Sequence, residues 1–114
     1  MLPASNRLRH RRDFAQFRAS RSSFVVEGIR FRWMFGRTGA VRAGVIVSKR
    51  VDKRATRRNR IRRVIREALR PMLSTFPPGT QILATALAPS PKLTAPVLRR
   101  QLTSACTRAR LIKA

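Results

Sequence analysis

The chain has 114 residues, and its 27 lysines and arginines outnumber 4 aspartates and glutamates, which gives a formal net charge of +23. This length suits one domain with a single modest core, and a hydrophobic fraction of 43% argues against a disordered basic tail. No segment approaches the roughly 20 apolar residues that a membrane-spanning helix needs. Such a charge indicates a polyanionic partner, either nucleic acid or an anionic membrane surface.

The N-terminus and the single cysteine predict the compartment. Residues 1–12 are interpreted as a basic, flexible arm, because four arginines and a histidine precede the first predicted helix. The arginines follow Asn6 without the apolar stretch of a secretory signal, so no such signal is expected. Cys106 is the only cysteine, which excludes an internal disulfide and a thiolate metal cluster. Its place on an apolar helix face predicts a buried structural thiol. We therefore expect the protein to be cytoplasmic.

The first half of the chain predicts one short helix and three strands. The helix covers residues 13–20 and carries Phe14 and Phe17 on one side. The strands follow at residues 24–26, 29–35 and 43–48. In the middle strand apolar side chains alternate with Arg30 and Arg32, so these arginines point away from the aromatic face. The third strand is almost continuously apolar, which predicts burial on both of its faces.

The second half begins with the most informative segment, a helix predicted over residues 55–73. Its apolar stripe repeats at helical spacing and consists of Ile61, Val64, Ile65, Ala68, Leu69 and Met72. A row of arginines at every fourth position runs along another side and consists of Arg58, Arg62, Arg66 and Arg70. Seven arginines between positions 57 and 70 accompany a single carboxylate, Glu67, which cannot neutralise them. The helix therefore predicts a surface for a polyanion.

The end of the chain predicts one more strand and one more helix. The strand covers residues 81–87, after a break at residues 77–79 that contains two prolines and a glycine. The last helix starts after Thr94 with Pro96 in its first turn. Its apolar side is predicted to consist of Leu98, Leu102, Ala105 and Ala109. The predicted order is therefore helix, three strands, helix, strand and helix.

The segment around the arginine helix resembles the signature of the bacterial ribonuclease P protein family. The matching residues are Val47-Ser48-Lys49-Arg50, Ala55, Arg58-Asn59-Arg60-Ile61-Arg62-Arg63 and Arg66-Glu67. The resemblance implies that residues 1–114 form a single α+β domain of two layers in the order α-β-β-β-α-β-α. It also implies a small mixed sheet with a left-handed β-α-β crossover, although the general rule would predict a right-handed one.

The family implies a protein that binds a catalytic RNA, ribonuclease P RNA, with one protein per RNA. Together they remove the 5′ leader of precursor tRNA as an endoribonuclease. The residues that the resemblance assigns to the catalytic RNA are Lys49, Arg50, Arg54, Arg58, Asn59, Arg60, Arg62, Arg63 and Arg66. Two alternatives stay open for individual members. Asn59 could hold the helix entry through a backbone hydrogen bond, and one or two arginines could be merely solvated.

A second surface implied by the family is a cleft between the first helix and the sheet, which takes the single-stranded leader. Its predicted members are Phe14, Phe17, Arg18, Trp33 and Ser48. Single-strand binders combine basic groups with aromatic faces on which bases stack. The family usually has a second aromatic residue four positions after the first, where this chain has Arg18. Core packing is the alternative for Trp33.

The acidic residues and the histidine predict that the protein does not cleave RNA by itself. Asp13, Glu27, Asp52, Glu67 and His10 lie in separate elements without metal-ligand spacing. We therefore expect no cofactor in the protein and expect the RNA to hold the Mg²⁺ ions. Glu67 is expected to pair with nearby arginines, and Asp52 to take a turn conformation in a connection without glycine.

Other functions fit part of the pattern. A ribosomal protein or an RNA chaperone with no role in cleavage would be equally small and basic. A sequence-specific DNA binder would place the arginine helix in a major groove, but arginines around much of its polar surface discriminate poorly among bases. Binding to a membrane surface would need an exposed apolar stripe, whereas the predicted fold buries this stripe in its core.

Overall fold

The computed structural model describes residues 22–36, 39–88 and 93–111. The elements within these ranges are β1 (Ser23–Val26), β2 (Ile29–Phe35), β3 (Arg42–Ile46), α1 (Ala55–Leu69), a 3₁₀ helix (Arg70–Thr75), β4 (Thr80–Ala86) and α2 (Ala95–Arg108). Strands and α-helices stand in the predicted order. The basic arm over residues 1–12 and the helix predicted over residues 13–20 lie outside the described residues.

The four described strands form one mixed sheet in the order β1-β2-β4-β3. β2 pairs antiparallel with β1 on one side and with β4 on the other, whereas β3 and β4 are parallel. Because α1 connects these two parallel neighbours, the chain forms the β-α-β crossover that the family implies. The left hand of this crossover stays an expectation.

A two-residue turn at Glu27 and Gly28 joins β1 to β2. Both residues have positive φ, 53° and 73°, as tight turns between antiparallel strands require. Gly28 adopts this conformation without steric cost, whereas non-glycine residues such as Glu27 rarely do. The Gly28 carbonyl accepts a hydrogen bond from the Leu87 N–H at 2.8 Å, which ties the turn to the end of β4.

α1 buries the predicted apolar stripe. The buried residues are Ile61, Val64, Ile65, Ala68 and Leu69, and Met72 is buried in the following 3₁₀ helix. The helix predicted over residues 55–73 nevertheless changes to 3₁₀ geometry after Leu69. Pro71 explains the change, because its ring removes a backbone donor and clashes with the carbonyl of the preceding turn.

α2 packs on the same side of the sheet as α1. Its buried residues are Leu98, Leu102, Ala105 and Cys106. The sheet contributes Ile29, Phe31, Ile82 and Ala84 to the same core. Ala109 was predicted on the apolar side, but the helix ends at Arg108 and Ala109 is exposed. Neither described α-helix has the length and apolar character needed to cross a bilayer.

The position of β3 at the sheet edge corrects one prediction. The strand ends at Ile46, earlier than predicted, and the Ile46 side chain is 37% exposed. Burial on both faces is therefore wrong for the end of this strand, although Ala43 and Gly44 are buried. An edge strand has a neighbour on one side only, so apolar composition alone does not ensure that both faces are covered.

Candidate nucleic-acid interface

The loop between β3 and α1 displays its basic side chains around a buried anchor. The Val51 N–H donates to the Ser48 carbonyl at 3.1 Å, which closes a turn, and Val51 is only 8% exposed. Lys49 and Arg50, at the tip of this turn, are exposed. Burial of the valine therefore holds both cations toward solvent.

Asp52 organises the second half of this loop. Its Oδ1 accepts a hydrogen bond from the Arg54 N–H at 2.9 Å, and its Oδ2 lies 3.8 Å from Nη1 of Arg57. A carboxylate that binds the backbone two residues later makes an Asx turn, so the predicted turn role of Asp52 is confirmed. The carboxylate is used within the loop, and the neighbouring Lys53 and Arg54 side chains stay exposed.

Two arginines of the predicted row fasten α1 to this loop. Nη1 of Arg58 donates to the carbonyls of Asp52 and Lys53 at 3.1 and 2.9 Å. Nη2 of Arg62 donates to the Val47 carbonyl at 3.2 Å. Both side chains are half-buried. Each guanidinium has five N–H donors, so donors remain for an external phosphate after these bonds.

Asn59 and Arg60 do not contact the loop carbonyls that Arg58 and Arg62 bind. Oδ1 of Asn59 accepts a hydrogen bond from Nη1 of Arg62 at 2.7 Å, so this amide orients an arginine and does not cap the helix backbone. Nη2 of Arg60 donates to the Leu93 carbonyl at 3.1 Å, on the other side of α1. The predicted residues therefore divide into anchors of the surface and exposed cations.

The exposed cations lie in a strongly positive field. Arg63 is exposed on α1, and Arg66 is half-buried one turn beyond Arg62. α1 has no acidic residue in its first turn, and the carboxylate at the positive end of its dipole is that of Asp52, which accepts from the Arg54 N–H just before the helix. The predicted ion pairing of Glu67 is not observed among the described residues, whereas Asp52 pairs with Arg57. This surface can bind phosphate groups.

The predicted leader cleft is described only in part. Phe14, Phe17 and Arg18 lie outside the described residues. Trp33 is half-buried and packs beside Phe24 with ring centroids 5.4 Å apart, next to the core. Ser48 is exposed in the loop after β3. The leader-binding roles of these residues stay predictions.

The opposite face of the sheet carries further arginines that the sequence reasoning did not assemble into a site. The register places Arg30 beside Thr85, Arg32 beside Leu83, and Arg42 beside Gln81. Strand alternation puts all three arginines on one face, away from Phe31 and the helices. Alternation in β2 was visible in the sequence, but Arg42 joins the group only through the parallel register of β3 and β4.

Gln81 is a buried polar residue on this face. It is 8% exposed, and its Oε1 has no hydrogen-bond partner, as is also the case for Nε of Arg42. A side chain at Gly36 would collide with the Gln81 amide, so glycine preserves the position of that amide. Among the described residues, no three histidine, cysteine, aspartate or glutamate side chains are grouped to hold a metal ion.

The sequence of this chain is similar to the sequences of known proteins. The Ribonuclease P family model matches residues 2–110. A ribonuclease P protein component from Pseudanabaena sp. is 40% identical over 86 residues, which cover 75% of this chain and 74% of that protein. The ribonuclease P protein component of Beutenbergia cavernae is 36% identical over 121 residues, which cover 100% of this chain and 99% of that protein.

Solved structures support the same fold. The RNase P protein of Staphylococcus aureus superposes with a TM-score of 0.77 at 22% identity, over 95% of this chain and 98% of that chain. The RNase P protein of Thermotoga maritima gives a TM-score of 0.71 at 25% identity, over 90% and 96% of the two chains. On the family match and the curated relatives together, this chain belongs to the ribonuclease P protein component family.

Proposed function

We propose that this protein is the subunit that binds the catalytic RNA of ribonuclease P and assists removal of the 5′ leader from precursor tRNA. The observation that carries the proposal is the attachment of α1 to the preceding loop by Arg58 and Arg62. Because these bonds hold loop and helix together, Lys49, Arg50 and Arg63 share one preorganised basic surface. Preorganisation lowers the entropy lost on binding.

The contribution of this surface is electrostatic and positional. Each RNA phosphate that a lysine or arginine neutralises releases counterions, which drives binding and makes it sensitive to salt. Arginine can donate two parallel hydrogen bonds to a phosphate, so the surface also fixes orientation. Binding at this site would bring RNA segments together that otherwise repel each other.

The leader is proposed to cross the sheet face that carries Arg30, Arg32 and Arg42. Basic groups on a sheet face suit a single strand, whose phosphates they neutralise. Phe14, Phe17, Arg18 and Ser48 complete this site in the proposal. Trp33 packs against the core and would support the sheet from the helix side.

The hydrolytic chemistry is assigned to the RNA. Cleavage of a phosphodiester with metal ions needs ligands that hold those ions beside the scissile bond. We propose that the RNA holds the Mg²⁺ ions, that the protein alone is inactive, and that one protein serves each RNA in the cytoplasm. The scattered acidic residues of the described chain support this division of labour.

The test is cleavage of precursor tRNA by a bacterial ribonuclease P RNA at low magnesium, with and without this protein. One precursor has a long leader, and a matched precursor has a trimmed leader. We expect the protein to restore cleavage more strongly for the long leader. Equal restoration would remove the leader site from the proposal. Binding of the RNA without any restoration would indicate an RNA chaperone instead.

A further inference from the structure

α2 and the turn after it carry a second group of exposed basic side chains, which we call the α2 row and which consists of Arg99, Arg100, Arg108 and Arg110. Arg100 and Arg108 lie on one side of the helix with the exposed Ser104 midway between them, because the three positions recur at every fourth residue. Arg99 is exposed beside them, and the exposed Arg110 follows the helix end. No acidic residue occurs between Ala95 and Arg108, so the helix itself offers no neutralising carboxylate.

The arginines of the α2 row differ from the anchors of α1. Arg58, Arg60 and Arg62 bind backbone carbonyls of the protein. In the part of the chain that the structure describes, no hydrogen bond or ion pair of their side chains holds Arg99, Arg100, Arg108 or Arg110. Packing within the protein therefore does not account for this accumulation of charge.

The backbone at the end of α2 gives a second and independent indication. The Leu111 N–H donates to the Cys106 carbonyl at 2.9 Å, and the Arg110 N–H donates to the Thr107 carbonyl at 3.1 Å. This is a Schellman motif, whose left-handed residue is usually glycine. Here that residue is Arg110, with φ of 59°. The chain carries a strained arginine where glycine would be more stable, and such strain often marks a functional position.

The α2 row lies apart from the RNA surface already described. Arg62 reaches the Val47 carbonyl, so the arginine row of α1 faces the β3 side of the helix. Arg60 reaches the Leu93 carbonyl just before α2, so α2 flanks the other side of α1. An RNA segment on the α2 row would therefore be a different segment from the one on the β3–α1 loop.

We propose that the α2 row binds a second stretch of RNA phosphate backbone, so that the protein contacts RNA on both sides of α1. This inference rests on the proposed function. At 1.5 Å per residue, the Cα atoms of Arg100 and Arg108 lie about 12 Å apart along the helix. A duplex strand carries a phosphate for roughly every 3.4 Å of axis, so the row can meet more than one phosphate.

The proximity of RNA is tested with an iron–EDTA group attached to a cysteine at position 104, through Ser104→Cys. The reagent should not modify Cys106, which is 1% exposed. Ser48→Cys places the same group in the β3–α1 loop, and the parent protein treated with the same reagent gives the background level. The catalytic RNA and the precursor tRNA are labelled in separate experiments.

We expect the probe at position 104 to cut one of the two RNAs above background, at nucleotides other than those cut from position 48. The RNA that is cut identifies the source of the phosphates. Cuts from position 48 without cuts from position 104 would overturn the proposal that the α2 row binds RNA and would leave the proposed function intact. Cuts from neither position would contradict both.

A salt titration gives a second test. Arg100→Gln with Arg108→Gln should reduce the slope of log affinity against log salt by about 1.4 to 1.8, because two phosphate contacts are lost. Arg100→Lys with Arg108→Lys should keep the slope. Arg110→Gly should raise the melting temperature of the free protein and still lower the slope by about 0.7 to 0.9. An unchanged slope in the glutamine and glycine variants would refute the proposal.

Discussion

Replacement of Arg58 by glutamine tests whether the arginines of α1 hold the protein surface together before RNA binds. Nη1 of Arg58 donates to two carbonyls of the β3–α1 loop, at Asp52 and Lys53. Arg63→Gln is the matched control, because Arg63 lies exposed on the same helix. Both substitutions remove one positive charge, and glutamine has nearly the helix propensity of arginine. Their difference therefore reports the two hydrogen bonds.

The expected difference follows from the geometry. A hydrogen bond from a charged donor contributes about 1.5 to 3 kcal/mol when it is well buried. Arg58 is half-buried, and one nitrogen serves both carbonyls, so we expect about 1 to 2 kcal/mol for the pair. Arg63→Gln should change the free energy of unfolding by less than about 0.5 kcal/mol. A domain of this size should then show melting temperatures about 4 to 8 °C apart.

The assay is thermal and urea unfolding of both variants without RNA, followed by RNA binding at several salt concentrations. Arg58→Gln should unfold at a lower temperature and a lower urea concentration than Arg63→Gln. Arg63→Gln should melt like the parent protein but lower the salt slope of RNA affinity by about 0.7 to 0.9. Equal melting temperatures for the two variants would refute the anchoring role of Arg58.

Three further predictions concern the core and the opposite sheet face. Burial raises the pKa of the Cys106 thiol to about 12. A thiol reagent at pH 8 should therefore react roughly a thousandfold more slowly with the folded protein than with the urea-unfolded protein. Because the unfolded chain loses the thiol proton first, this group's contribution to stability should fall between about pH 9 and 12, and Cys106→Ala should abolish that part of the pH dependence. Gln81→Met removes a buried acceptor without a partner and should stabilise the protein by about 1 kcal/mol in urea unfolding. Ile65→Val, at a site that is 0% exposed, should cost about 0.5 to 1.5 kcal/mol in the same assay.

The strand and helix pattern was accessible from the sequence where one face is buried and the other is not. β2 spans Ile29–Phe35, as its alternation predicts, because Ile29 and Phe31 enter the core while Arg30 and Arg32 lie on the other face. The buried stripe of α1 was likewise predictable. The periods of two residues in strands and 3.6 residues in helices follow from backbone geometry alone, so they can be recognised without knowing which element packs against them.

The arrangement of the site was accessible only in part. Charge and spacing identified the basic surface of α1, but they did not reveal which arginines donate hydrogen bonds within the protein. That division depends on the path of the loop, which brings the carbonyls of Val47, Asp52 and Lys53 to the helix. The grouping of Arg42 with Arg30 and Arg32 depends on the parallel register of β3 and β4. Neither the path of the loop nor the register of the strands produces a repeating pattern that could be recognised in the sequence.

The double use of arginine in α1 gives a physical reason for the scarcity of lysine at this surface. An ammonium group can donate to a carbonyl, but it is a compact and strongly hydrated charge without a rigid fork. A guanidinium such as that of Arg62 can bind the Val47 carbonyl and the Asn59 amide while other donors face outward. Fixing the cations in this way costs self-repulsion in the free protein, which RNA relieves on binding. The anchoring arginines therefore affect both the stability of the free protein and its affinity for RNA. Substitution of the exposed Arg63 should change the affinity for RNA without changing the stability.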